Sequence, residues 1–161
     1  MAGFLVADDL SAGTLRLLKD RNLIMSEQEN TAVAQRAYDN FKTGNIQALV
    51  DQMADDATWE LPEVVGVAFA GKRTGRDSIR DFFATVARDQ EVLEFDPREF
   101  VAQGDKVVSL GHYRWRVTET GREFASDFVH VFTIRDGKIV AFREHFDTAA
   151  VAAAYQKAMS A

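Results

Sequence analysis

Ionisable side chains interrupt an otherwise apolar stretch of strand-like sequence between residues 122 and 147. Asp127, His130 and Glu144 stand there among alternating aromatic and aliphatic residues. A carboxylate or an imidazole in an apolar wall is costly to bury unless it is paired, solvated or used in chemistry. A carboxyl group beside an imidazole in such a wall suits proton transfer near neutral pH. General acid or base catalysis is therefore the chemistry that these residue types could support.

The turn between the two strands decides which of these side chains share a face. Residues 135–137 fit a three-residue turn whose last residue, Gly137, takes the positive φ that glycine adopts without strain. That turn predicts His130 and Glu144 as diagonal neighbours on one face of the hairpin. A two-residue turn would instead move Glu144 to the face of Asp127 and separate it from His130.

Two interpretations of the His130–Glu144 pair remain open. In the first, Glu144 moves a proton and His130 orients it; in the second, the two form a satisfied buried pair that holds two strands together. Large aromatic residues near the pair are candidate walls of a ligand pocket, although such residues also serve as plain core packing. These substrate-binding candidates are Trp59, Tyr113, Trp115, Phe128, Phe132 and Phe142.

Two aspartates of the same region have simpler explanations. Asp147 directly precedes the last predicted helix and can cap its open amides. Asp127 falls on the strand face opposite to His130, which predicts a position at a rim or a dimer face. No serine lies in a nucleophile elbow, and the glycines match neither a phosphate-binding loop nor a dinucleotide fingerprint.

Length and composition bound the class of protein. The 161 residues, 47% of them hydrophobic, suit one compact domain. The net charge of -6 and the lack of a basic run argue against a nucleic-acid partner. Because there is no cysteine and the three histidines show no metal-binding spacing, no metal site is expected. No apolar run is long enough for a membrane span and no signal-peptide pattern is present, so a cytoplasmic protein is expected.

Hydrophobic periodicity predicts helices first and strands afterwards. Ser26 and Glu29 have capping-box spacing and predict the start of an amphipathic helix that ends at Gly44. Asn45 predicts the cap of a second short helix, and a third follows residues 74–77. Strands are predicted at residues 57–61, 95–102, 106–117, 124–134 and 138–146, before a final helix over 148–159. This order favours an α+β architecture over alternating βαβ units.

The first 24 residues carry leucines at irregular spacing and precede Met25, which looks like the start of a protein in its own right. We therefore predict a domain over residues 25–161. Residues 1–24 are interpreted as an N-terminal extension, either absent from the natural protein or a loosely docked helix.

Three stretches of the sequence carry a family resemblance. They are Thr58-Trp59-x-Leu61-Pro62, Ala70-Gly71-x-x-x-Gly75-Arg76-x-x-Ile79-x-x-Phe82-Phe83, and Gly137-Lys138-Ile139 followed by Arg143-Glu144-x-Phe146-Asp147. In their order and spacing they resemble the SnoaL-like polyketide cyclase and ketosteroid isomerase-related proteins of the NTF2-like superfamily. The resemblance spans roughly residues 27 to 158.

The resemblance implies an α+β cone, in which a curved antiparallel sheet wraps around the N-terminal helices and encloses a mostly apolar pocket. It also implies a homodimer formed through the opposite face of the sheet. The related cyclases carry a proton-transferring aspartate on the last strand and a histidine on the strand before it. Glu144 and His130 stand at these positions, with glutamate adding one methylene to the catalytic side chain.

Two functions follow from the resemblance. One is a cofactor-independent isomerase or cyclase that acts on a small, apolar carbonyl compound by proton transfer. The other is a ligand-binding or dimerisation module without turnover, because a fold hosts functions without specifying one.

Overall fold

Helices at the beginning of the chain are followed by one mixed sheet in the computed structural model, which describes residues 7–157. The helices are α1 (Ala7–Lys42), α2 (Ile46–Asp51), α3 (Arg76–Asp89) and α4 (Thr148–Tyr155). The strands are β1 (Met53–Leu61), β2 (Gly71–Thr74), β3 (Gln90–Gln103), β4 (Lys106–Val117), β5 (Glu123–Arg135) and β6 (Lys138–His145). The predicted α+β class is confirmed. Within residues 7–157, no helix is both long and apolar enough to cross a bilayer.

The strands form a six-stranded sheet in the order β2-β1-β6-β5-β4-β3. Strands β3 to β6 pair antiparallel, as a predicted meander would, but β1 joins β6 in parallel. Irregular register after Val92 and after Pro97 bends β3, because an extra residue on one strand increases its local twist. The bent sheet wraps around α1, which packs against β3, β4 and β5. This arrangement is the predicted cone.

Helix α1 begins earlier than predicted. It runs without a break through Ser26, so the predicted helix start there is wrong. The residues before Ser26 include leucine, lysine and arginine, which favour helix continuation over a cap. The leucines of residues 12–24 are at least half exposed, whereas the Glu27 carboxylate accepts a hydrogen bond at 2.8 Å from the amide of Gly104, in the turn between β3 and β4. Whether Met25 is the natural start stays a prediction.

The turn between β5 and β6 is shorter than predicted. Arg135 pairs with Lys138, which leaves a two-residue turn made of Asp136 and Gly137. Both turn residues have positive φ, at 50° and 74°. This is the geometry of a type I′ hairpin turn, whose twist matches that of the flanking strands. The predicted three-residue turn is therefore wrong.

A β-bulge next to the turn reverses the effect of the shorter turn. Thr133 pairs with Ala141 instead of Val140, so β6 contains one extra residue. One extra residue moves every following side chain to the other face of its strand. His130 consequently lies directly opposite Glu144, and the predicted sharing of a face holds, although by a different register.

Both simpler explanations for the nearby aspartates agree with the structure. The Asp147 carboxylate caps α4 by accepting a hydrogen bond from the Ala150 amide at 3.1 Å. Asp127 is exposed on the outer face of the sheet, where its carboxylate lies 2.8 Å from Nδ1 of His112. Neither residue is part of the interior described next.

Candidate functional site

A cavity lies between the inner face of the sheet and the helices. Its volume is about 80 Å³. One water needs about 10–15 Å³, so the cavity has room for a small organic molecule. Aromatic residues dominate its walls, namely Tyr38, Phe41, Trp59, Phe69, Phe82, Phe83, Phe95, Tyr113, Trp115, Phe124, Phe132, Phe142 and Phe146. Such walls fit an apolar or aromatic ligand.

The structure brings five of the six predicted wall residues to this cavity: Trp59, Tyr113, Trp115, Phe132 and Phe142. Trp59 and Phe142 stack on each other with ring centroids 3.7 Å apart, which makes one flat side of the cavity. The other three reach the space from β4 and β5, because inward-facing residues alternate along each strand.

Phe128, the sixth predicted wall residue, is not among the residues that line this cavity. The ring is buried and stacks against the His130 imidazole, with centroids 4.1 Å apart and planes 17° apart. It also stacks on Phe95 at 5.5 Å. Phe128 thus supports His130 from the side of the core.

His130 and Glu144 come together at the cavity wall, from β5 and β6. Nε2 of His130 lies 3.3 Å from Oε1 of Glu144. Both residues are buried, with 4% and 8% of their surface exposed. The two atoms are not aligned as donor and acceptor, and Nε2 has no hydrogen-bond partner among the described residues. The two side chains are therefore in close contact, and Nε2 of His130 remains available for a hydrogen bond.

Tyr38 is a third polar member of the site and was not predicted. Its hydroxyl lies 2.8 Å from Nδ1 of His130, on the side of the ring opposite to Nε2. Burial is the main cause that raises the Tyr38 pKa above its ordinary range, with the Ser109 hydroxyl acting against it and the charge of Glu144 adding to it. The phenol therefore keeps its proton in the folded protein.

The sequence signal for Tyr38 was weak. The predicted helix stripe consists of Val33, Ala37 and Phe41, and Tyr38 follows directly after one of its members. A tyrosine at such a position is usually interpreted as one more apolar core residue. The only sequence signal for a further role is that a buried hydroxyl needs a hydrogen-bond partner.

Tyr113 contributes a hydroxyl close to Glu144. Burial, followed by the charge of Glu144, raises the pKa of the Tyr113 phenol above its ordinary range. Tyr113 therefore remains a neutral hydrogen-bond donor beside a carboxyl group. Predicted as an apolar wall, it also supplies a polar atom to the site.

Two further donors at the site have no partner. Nε1 of Trp59 and Nε1 of Trp115 are buried without a hydrogen bond to any described residue. An unsatisfied buried donor lowers the stability of the folded state by about 1–3 kcal/mol. These two indole N–H groups therefore remain available to donate hydrogen bonds. In the described part of the chain, no three metal-ligating side chains come together. The groups present can transfer protons and donate hydrogen bonds.

Comparison with known proteins places these features in a family. Residues 34–142 match the SnoaL-like domain. An NTF2-like protein from Burkholderia xenovorans LB400 is 32% identical, with a TM-score of 0.75 over 82% of this chain and 99% of that chain. TerC, co-crystallised with polyporic acid, is 30% identical, with a TM-score of 0.70 over 80% of this chain and 99% of that chain.

A SnoaL-like protein from Mesorhizobium loti has the same fold at lower identity. It is 18% identical, with a TM-score of 0.61 over 71% of this chain and 97% of that chain. At this identity the likeness concerns the fold alone. Comparison with curated protein sequences gives no significant match.

Proposed function

The chain belongs to the SnoaL-like domain family of NTF2-like proteins, and on that premise we propose that it binds a small, largely apolar carbonyl compound and moves a proton within it. Isomerisation and aldol-type cyclisation are the reactions of this kind. The observation that carries the proposal is a buried Glu144–His130 pair at the wall of an otherwise aromatic cavity.

The proposed chemistry needs a base and a donor. The Glu144 carboxylate takes a proton from the carbon next to the ligand carbonyl, and the electron pair moves onto the carbonyl oxygen as an enolate. A neutral donor such as the Tyr113 hydroxyl stabilises that oxygen. Return of the proton to another carbon completes an isomerisation and restores the carboxylate. His130 holds the carboxylate in place from the other side.

The apolar walls support this chemistry. They exclude water, and a water-poor site strengthens the interaction between the carboxylate and the developing charge. The co-crystallisation of TerC with polyporic acid also supports a small organic ligand for a chain of this fold. No cofactor is needed for proton abstraction by a carboxylate.

A second candidate function is ligand binding without turnover. The observation that favours it is the 3.3 Å approach of His130 Nε2 to Glu144 Oε1, which brings the imidazole and the carboxyl group of two neighbouring strands into close contact. In that case the aromatic walls bind the ligand and the pair only stabilises the strands. The two candidate functions differ in whether the protein removes a proton from a bound ketone.

Binding is measured by intrinsic fluorescence, because the two tryptophans of the chain, Trp59 and Trp115, both line the cavity. A panel of cyclic and aryl ketones serves as probes. Turnover is measured on the bound ketones as exchange of the protons next to the carbonyl with D₂O, followed by proton NMR. This assay needs no knowledge of the natural substrate.

We expect wild-type protein to accelerate the exchange of at least one bound ketone. Glu144→Gln removes the base and should lower that rate by about 10²–10⁴-fold, with the fluorescence response retained. The matched control is Glu123→Gln, the same substitution at a residue that lies on β5 and is exposed. Exchange by Glu144→Gln within a few-fold of wild type would remove Glu144 as the base. Wild-type binding without exchange of any ketone would favour the binding function.

The homodimer implied by the resemblance stays a prediction. The outer face of the sheet carries exposed ion pairs, such as Arg116 with Glu91 at 3.0 Å and with Glu123 at 2.8 Å. Sedimentation velocity of the full chain at two salt concentrations measures the oligomeric state.

A further inference from the structure

We propose that Tyr38 is a positioning residue that selects the tautomer of His130, so that the ring presents an Nε2–H group to Glu144. The inference rests on the proposed function for its catalytic consequence. Its own test requires neither a substrate nor turnover.

The first step is the hydrogen bond between α1 and β5. The Tyr38 hydroxyl and Nδ1 of His130 are 2.8 Å apart, and both side chains are buried. A neutral imidazole carries one proton, so one nitrogen donates and the other accepts. Burial raises the pKa of the Tyr38 phenol, which therefore keeps a proton to donate. If the phenol donates to Nδ1, the ring proton must be on Nε2.

The second step is the position of that proton. Nε2 lies 3.3 Å from Oε1 of Glu144, so a proton on Nε2 is close to a carboxylate oxygen and is attracted to it, although the two atoms are not aligned for a hydrogen bond. The opposite tautomer would turn a nitrogen lone pair toward the same oxygen and repel it. A Tyr38 hydroxyl that donates to Nδ1 thus produces attraction at Glu144, and one that accepts from an Nδ1–H group produces repulsion.

The third step is the immobility of the ring. Phe128 stacks on the His130 imidazole at 4.1 Å, and Phe142 contacts it edge-on at 4.9 Å. Phe95 and Phe132 contact Tyr38 edge-on, at 5.5 and 5.6 Å. Because aromatic neighbours hold both rings, packing opposes a flip of the His130 ring, which would move Nδ1 away from Tyr38 and Nε2 away from Glu144.

The consequence concerns the base of the proposed reaction. An Nε2–H group close to Oε1 attracts the Glu144 carboxylate and so favours one orientation of it. In this respect Tyr38 acts on His130 as an outer partner acts on a ligating histidine in a metal site, by fixing its tautomer. Tyr38 therefore affects proton transfer through His130.

The test is NMR spectroscopy of ligand-free full-length protein labelled with ¹⁵N in histidine. Long-range ¹H–¹⁵N spectra at neutral pH distinguish a nitrogen that carries a proton from one that carries a lone pair. His130→Gln identifies the His130 signals, because the chain has only two other histidines. We expect wild-type His130 to carry its proton on Nε2 and its lone pair on Nδ1.

Tyr38→Phe removes the donor while keeping the ring. We expect loss of the single tautomer, with the proton divided between the two nitrogens. The matched control is Tyr155→Phe, which removes a half-buried phenol at the end of α4 and its 3.1 Å hydrogen bond to Gln90. The control should leave the His130 spectrum unchanged, whereas a purely structural role for Tyr38 predicts that both variants do so.

A wild-type ring with its proton on Nδ1 would overturn the inference, as would a Tyr38→Phe spectrum identical to that of wild type. The wild-type spectrum decides the first question even if the variant fails to fold. The experiment also distinguishes failure of this inference from failure of the proposed function. A single Nε2–H tautomer in a protein that exchanges no ketone proton would leave the tautomer assignment standing and reject the catalysis.

Discussion

Replacement of Gly111 by alanine should destabilise the protein through two contacts that have no room for a methyl group. A Cβ atom on Gly111 would overlap Cζ of Phe128 and would lie 2.6 Å from the carbonyl oxygen of Asp96. Real Cβ atoms do not approach other heavy atoms so closely. Something must therefore move on both sides of β4.

Neither neighbour of Gly111 can move freely. The Asp96 oxygen belongs to the backbone of β3, which is paired with β4 along its length. The Phe128 ring is stacked on His130 and on Phe95, so it has no open direction. A flexible side chain could move to make room for the methyl group, whereas the β3 backbone and the stacked Phe128 ring are held in place.

The magnitude follows from the competition between two effects. Overpacking of a tight interior destabilises by about 1–3 kcal/mol. Gly→Ala also reduces the entropy of the unfolded chain, which stabilises by about 0.4–1 kcal/mol where the new side chain fits. At Gly111 it does not fit, so the loss exceeds the gain. With about 2–4 °C per kcal/mol for a chain of this size, we expect Tm to fall by about 2–12 °C.

The assay is thermal and urea unfolding followed by circular dichroism. The matched control is Gly13→Ala in α1, where the new Cβ meets nothing within 4 Å and alanine is the better helix former. The control should show no loss of stability. An unchanged or raised Tm for Gly111→Ala would refute the packing argument, because it would mean that β3 or Phe128 yields without cost.

Two further predictions concern burial and capping. Burial is the first cause that raises the pKa of all three tyrosines, Tyr38, Tyr113 and Tyr155, above the ordinary value of 10.0. A pKa raised on folding contributes stability that is fully present below pH 10 and is lost as the pH rises further. We therefore expect phenolate absorbance to appear only as the protein unfolds. A gradual rise of this absorbance before the loss of helical circular dichroism would contradict the prediction. Asp147→Ala removes the 3.1 Å cap hydrogen bond to the Ala150 amide, and we expect the free energy of unfolding to fall by about 1 kcal/mol. An unchanged urea midpoint would show that the cap contributes nothing.

Local signals predicted most of the elements, because periodicity, caps and turns act over a few residues. The predicted strand over residues 106–117 coincides with β4. Asn45 caps α2 and Asp147 caps α4, each through its side-chain oxygen. The start of α1 was wrong because the capping-box spacing of Ser26 occurs inside a helix that favourable residues continue.

The register of the β5–β6 hairpin required long-range information. Local sequence could not show the bulge at Val140, because β6 pairs with β5 on one side and with β1 on the other. The pairing with β1 also shifts register in this region, between Met53 and Thr58. The predicted face of Glu144 was right only because a shorter turn and a bulge compensate each other.

By itself the sequence determined the α+β class, the family resemblance and the two ionisable residues of the apolar wall, because each depends on residue type and short spacing. The tertiary structure alone decided the contact between Tyr38 and His130, which lie 92 positions apart, and the place of Phe128 against the His130 ring. Periodicity shows that a side chain is buried. It does not show which buried groups meet, since that depends on how far the sheet curves around α1.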